Sequence, residues 1–139
     1  MLSNTLVTNE IKNAAGTEIE FGRLSTSNRE TVFSQVGETP SQPHRLSIKH
    51  QESGKDLKLR RRSLVRFDKT VISGVDSITP VTVSAYIVLD CPIGAMSSIA
   101  EATNVIAELL SFCATTGAAT TVLFDGTGNG ATTLLTGGL

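Results

Sequence analysis

Along residues 81–89, Val81, Val83, Ala85, Ile87 and Leu89 alternate with Thr82, Ser84, Tyr86 and Val88. That period of two predicts a β-strand over VTVSAYIVLD (81–90). The same rhythm runs through the earlier sequence. Residues 6–13 and 17–24 flank Ala14, Ala15 and Gly16, a loop length that suits a hairpin. TVFSQV (31–36) reads as a further strand, and GETPSQP (37–43) interrupts the ladder with two prolines and a glycine. In HRLSIKHQ (44–51), Leu46 and Ile48 alternate with Arg45, Ser47 and Lys49. The turn ESGKD then leads to a strand in DLKLRRRSLVRF, and SGVDSITP (73–80) turns back into 81–90.

The period changes after Pro92 and Gly94. In SSIAEATNVIAELLSFCA (97–114), Ile99, Ala102, Ile106, Leu109, Leu110 and Cys113 fall at three- and four-residue intervals, which predicts one amphipathic helix. Ser98 and Glu101 have the spacing of a capping box at its start. With only Glu101 and Glu108 charged, much of its circumference is expected to be buried. Beyond it, the Gly- and Thr-rich tail predicts a short helical or extended piece around 119–124, a loop at DGTGNG and a short turn near Thr133–Leu135. The chain, 1–139, is expected to be one α+β domain, with a hairpin and antiparallel sheet over 1–92 and a helical C-terminal arm over 93–139.

Composition adds constraints. At 40% hydrophobic with few aromatics and no Trp, the core is expected to be filled by Val, Ile, Leu and Ala. No apolar run approaches the roughly 18 residues of a membrane span. MLSNTLVTNEIKN lacks the basic start and apolar stretch of a signal peptide, so none is expected. Cys91 and Cys113 lie in apolar segments without metal-ligand spacing. They read as small core residues in a reducing compartment, and a disulfide between them is not deducible. No nucleophile elbow or metal-ligand cluster is present, and GTGNG lacks the Lys-Ser/Thr ending of a phosphate loop. Neither catalysis nor a cofactor or metal is expected.

Charge changes the picture most. The formal total is −1, yet residues 44–69 hold nine basic and three acidic side chains, while residues 70–139 hold five acidic and no basic ones. Strand alternation sends Lys58, Arg60, Arg62 and Arg66 to one face and Leu57, Leu59, Val65 and Phe67 to the other. Arg45 and Lys49 on the neighbouring strand join the same surface in the simplest antiparallel pairing. Like charges spaced by roughly 7 Å along a strand repel by about 0.6–2.4 kcal/mol per pair, depending on the dielectric. Phosphates relieve such repulsion and release counterions on binding, which points to nucleic acid. The competing reading is a solvated face whose cations discourage edge pairing. Tyr86 falls on the same side, either as a packing residue with a wet hydroxyl or as a platform for an unpaired base. Arg61 has the wrong parity, so it requires either a bulge near 61–63 or a place at the sheet's end.

The order of these elements, and the segments RLSIKHQESGKDLKLRRRSLVRF, VTVSAYIVLDCP and LLTGGL, resemble the coat proteins of single-stranded RNA bacteriophages. The resemblance spans most of the chain. It implies an intertwined dimer with a continuous ten-stranded sheet, each copy's helices laid across its partner through Ile99, Ala102, Ile106, Leu109, Leu110 and Cys113. It further implies closure of dimers into an icosahedral virion capsid, assembled in the bacterial cytoplasm around single-stranded RNA. In the family the inward sheet face binds an RNA hairpin, which represses translation and marks the genome for packaging. Carried over, Arg45, Ser47, Lys49, Lys58, Arg60 and Arg62 match RNA-facing positions and Tyr86 matches the stacking tyrosine. The chain departs from the family in its RRR run, its short 73–80 turn and its DGTGNG stretch. The alternative to a coat is an RNA-binding module that uses the same basic sheet without assembling.

Overall fold

A computed structural model describes residues 2–117 and 122–138. It divides into two compact units, one made of the residues up to Glu10 with Ile19–Met96, the other of Ile11–Glu18 with the residues from Ser97 onward.

The first unit is a six-stranded antiparallel meander in chain order: β1 (Thr5–Leu6), β2 (Phe21–Ser27), β3 (Glu30–Gln35), β4 (His44–Ser53), β5 (Arg60–Ile72) and β6 (Pro80–Cys91). The expected first strand over 6–13 is reduced to two residues, paired Thr5 with Gly22 and Leu6 with Phe21. The β2–β3 ladder slips once, between Arg23 and Ser25, which leaves Leu24 as the extra residue of a bulge. Asn28 and Arg29 close this hairpin, with Arg29 at φ 67°, unusual for a residue with a Cβ. Arg29 is held there by its 2.7 Å ion pair with Glu52 and by its carbonyl accepting the His50 N–H.

Alternation is unbroken through β4, β5 and β6, so directly paired residues share a face. The apolar face carries Phe33, Leu46, Phe67 and Ala85 in one row and Ile48, Val65 and Ile87 in the next. Phe21 and Phe33 are fully buried. The Phe21 ring meets His44 edge-on at 5.0 Å and Phe67 at 5.9 Å, and the Arg23 guanidinium lies 5.6 Å from the Phe33 ring centre. Burial of this kind contributes about 1.5–3 kcal/mol per large apolar side chain. The face runs out of cover toward β6, where Val83 is 66% exposed and Val65 and Val81 are also exposed.

The expected strand over 57–59 does not form. Asp56–Lys58 make a 3-10 turn, closed by Lys58 N–H to Lys55 O and Leu59 N–H to Asp56 O. The Leu59 carbonyl then accepts the Gly94 N–H at 2.9 Å. A Cβ on Gly94 would sit 3.0 Å from the Leu59 side chain and closer still to the Asp56 carbonyl, so the turn fits only against glycine.

The second unit contains the bridge Lys12–Glu18, helix α1 (Ala100–Ala114) and helix α2 (Asn129–Thr136). The Ser98–Glu101 capping box is absent. Ile99 occupies the N-cap position without a side-chain bond, and the Ser98 hydroxyl accepts only the Ala100 N–H at 3.4 Å. Ile99 therefore lies outside the helical stripe and is exposed. α1 ends at Thr115, which bridges Val122, while the expected piece over 119–124 falls partly outside the described residues. α2 is longer than the short turn foreseen in the tail. Thr133 and Thr136 return their hydroxyls to the carbonyls four residues back, and Gly137 at φ 67° supplies the left-handed stop.

Candidate nucleic-acid interface

The polar face of the sheet is built by pairing. Arg45 faces Asp68, Ser47 faces Arg66, Lys49 faces Leu64, Gln51 faces Arg62 and Ser53 faces Arg60. On the next strand Arg62 faces Asp90, Arg66 faces Tyr86 and Asp68 faces Ser84. Register thus brings Arg45, Ser47, Lys49, Arg60, Arg62, Arg66 and Tyr86 to one surface, as strand parity predicts. Tyr86 is 65% exposed, with its ring available beside Arg66. Lys58 is the exception, since the 3-10 turn takes it out of β5 and off the alternating stripe.

The stripe is not an uncompensated row of charge. Arg45 pairs with Glu38 at 2.5 Å, and Arg60 and Arg62 share Asp90 at 3.0 and 3.8 Å. Arg66 grips both oxygens of Asp68. Asp68 also accepts the Ser84 hydroxyl. Its carboxyl is held below the usual carboxylate range by the Arg66 bond first and the Ser84 bond second, and Arg66 is correspondingly raised. Among the described residues, Lys49 and Lys58 form no ion pair. The repulsion expected from sequence is thus relieved largely within the chain. At one end of the face, Gln51, Ser53, Arg60, Arg62 and Asp90 line a shallow depression of about 170 Å³, a polar recess with guanidinium donors at its wall.

Arg61 lies on the opposite face, and the ladder around it is continuous, so no bulge is involved. It sits at the sheet's end, where Glu52 accepts from Arg61 at 2.9 Å and from Arg29 at 2.7 Å. These two hydrogen bonds, Arg61's first, lower the Glu52 carboxyl. Both histidines also belong to that face: His44 bonds Gln35 at 2.7 Å and His50 bonds Ser63 at 2.8 Å. Burial, with Lys69 adding to it, lowers the His44 pKa against the opposing effect of Glu38.

On α1, Ala102, Ile106 and Cys113 are half-buried, whereas Leu109 and Leu110 are exposed. Periodicity did not single out Val105 and Phe112, each 56% exposed, which share a helix face with Leu109. Glu38, Asp68 and Asp90, the acidic partners of the stripe, were equally missed. Asp68 and Asp90 follow from strand parity alone; Glu38 lies in a loop and does not.

No family model and no curated protein matches the chain. Solved structures do. The coat protein of bacteriophage EMS014 superposes with a TM-score of 0.65 at 14% identity, covering 87% of each chain. The capsid protein of bacteriophage GA gives 0.57 at 19% identity over 98% of this chain and 95% of that one. The virus-like particle of Wenzhou levi-like virus 4 gives 0.56 at 20% identity over 67% and 66%. The structural neighbours are levivirus-like phage coat proteins, and the chain has their α+β fold.

Proposed function

We propose that this chain is a shell-forming coat protein that acts as a dimer and encloses single-stranded RNA. The observation that carries the reading is β6. It is a twelve-residue edge strand with Asp90 as its one charged side chain, so it lacks the lysines and bulges that usually blunt a sheet edge. Pairing with β6 of a second copy removes that edge and joins β2–β6 of each copy into ten strands. The exposed Val65, Val81 and Val83 of the sheet, and Val105, Leu109 and Phe112 of α1, are the surfaces such a partner covers. Residues 93–139 act as the arm laid across the neighbour, with Ala102, Ile106, Leu110 and Cys113 alongside. Similarity in fold to proteins described as coat proteins and virus-like particles supports closure into a virion shell, which in this reading assembles in the host cytoplasm.

The opposite sheet face faces the RNA in this reading. Arg45, Ser47, Lys49, Arg60 and Arg62 contact it, Tyr86 stacks on an unpaired base, and Lys58 reaches it from the adjoining turn. A hairpin held there serves both to repress translation and to mark RNA for packaging. Sedimentation of the purified protein with absorbance at 260 and 280 nm tests the proposal. Fast-sedimenting particles rich in nucleic acid are expected. A small, nucleic-acid-free species contradicts it, and a small species that still binds RNA gives the non-assembling module instead.

A further inference from the structure

The carboxylates on the cationic face bear on selectivity. Glu38, Asp68 and Asp90 engage its four arginines, leaving Lys49 on the sheet and Lys58 in the adjoining turn. Lys49 faces Glu30 across β3 without forming an ion pair. A face intended to hold RNA by charge alone has no use for Asp90 between Arg60 and Arg62, or for Asp68 gripped by Arg66. We infer that Glu38, Asp68 and Asp90 are specificity-determining residues: they offset three of the four arginine charges toward arbitrary RNA and leave the guanidiniums oriented as hydrogen-bond donors for a shaped RNA element. The inference rests on the RNA-binding part of the proposed function.

The mechanism is competition. A guanidinium already bidentate to a carboxylate has lost most of its gain from a phosphate, which must displace or share that partner. An RNA that places several acceptors against Arg45, Arg60, Arg62 and Arg66 at once, with a base on Tyr86, offsets that loss. A featureless strand meets the two unpaired lysines and the one positive charge left where Arg60 and Arg62 share Asp90. Negative elements of this kind separate partners by weakening the wrong one.

Salt dependence reads the difference. For single strands the slope of log affinity against log salt is about −0.7 per cation engaged, so three uncompensated charges give about −2.1 and all six cations about −4.2. Raising salt from 50 to 200 mM then weakens binding about 18-fold in the first case and over 300-fold in the second. The test is titration of a short oligouridylate onto the unassembled protein, wild type beside Asp90→Asn and Asp68→Asn/Asp90→Asn. The expected result is a wild-type slope near −2.1, steepened by about 0.7 in Asp90→Asn and about 1.4 in the double variant, with tighter low-salt binding in both. A wild-type slope near −4 overturns the inference while RNA binding stands, as does an unchanged slope in folded Asp90→Asn protein. Absence of binding by wild type and variants alike removes the inference together with the RNA-binding half of the proposed function, whereas shells in the same preparation keep the other half.

Discussion

Arg66 holds Asp68, its neighbour two positions along β5, through both carboxylate oxygens, with Nε at 2.9 Å from Oδ1 and 2.8 Å from Oδ2. Residues two apart on a strand share a face, so the alternation that gathers the cations also delivers their counter-ions. The sheet surface is a lattice of paired charges with Lys49 left over on it and Lys58 in the adjoining turn, and the two kinds of cation should behave differently.

Lys49→Ala is therefore expected to weaken RNA retention more than Arg66→Ala where phosphate contact dominates. It should reduce the salt slope by about 0.7, with little change in Arg66→Ala. Filter binding across a salt series distinguishes them. Equal loss from both variants would show that the Arg66–Asp68 pair opens freely to phosphate.

Sequence alone showed the sheet where side-chain alternation was long and unmixed. β6 and the β4–β5 pair were legible because Val81–Leu89 and Arg45–Lys49 repeat with a period of two. Lys58 was misplaced because its position depends on a long-range hydrogen bond, Gly94 N–H to Leu59 O, which no local pattern encodes. α2 was underestimated because Thr and Gly are poor helix formers. Its start depends on Gly128 packing against the backbone at Cys113 and Ala114. A segment-by-segment charge balance hides the acidic partners, because Asp90 lies far along the chain from the arginines it meets across the ladder.

Leu109→Asp is expected to abolish the dimer while leaving the subunit folded. Leu109 is exposed in the single chain, so a carboxylate there costs the monomer little, but it must lose its water in the proposed interface. Light scattering gives the mass and circular dichroism the fold. A folded dimer carrying Leu109→Asp would remove α1 from the interface.

Gly128→Ala tests the packing within the helical unit. The new methyl would lie 2.8 Å from backbone carbons of both Cys113 and Ala114, atoms that cannot swing aside. Overpacking of this kind costs about 1–3 kcal/mol. At Gly22 a methyl meets nothing within 4 Å, so Gly22→Ala should leave stability nearly unchanged. Denaturant midpoints of the two variants make the comparison, and equal midpoints would contradict it.

Acid should act on the β5–β6 turn late. Asp76 accepts from the Thr79 hydroxyl and from the Ile78 and Thr79 N–H groups, and these bonds, the hydroxyl's first, lower its pKa from 3.8 to about 2. A depressed folded-state pKa means the unfolded chain binds the extra proton first. The contribution is complete above 3.8 and fades as pH falls through about 2. Asp76→Asn should flatten stability against pH in that window, measured by denaturant unfolding at fixed assembly state. Stability that rises on acidification there would reverse the sign and refute the assignment.

The most direct test of the account is an electron cryomicroscopy map of the purified protein at a resolution that traces strands. The account predicts closed particles in which β6 of one copy runs antiparallel to β6 of a second, with α1 of each against its partner's sheet and the Arg60–Arg62 face turned to the interior. Particles with β6 open to solvent, or with each sheet covered by its own chain's helices, would contradict it.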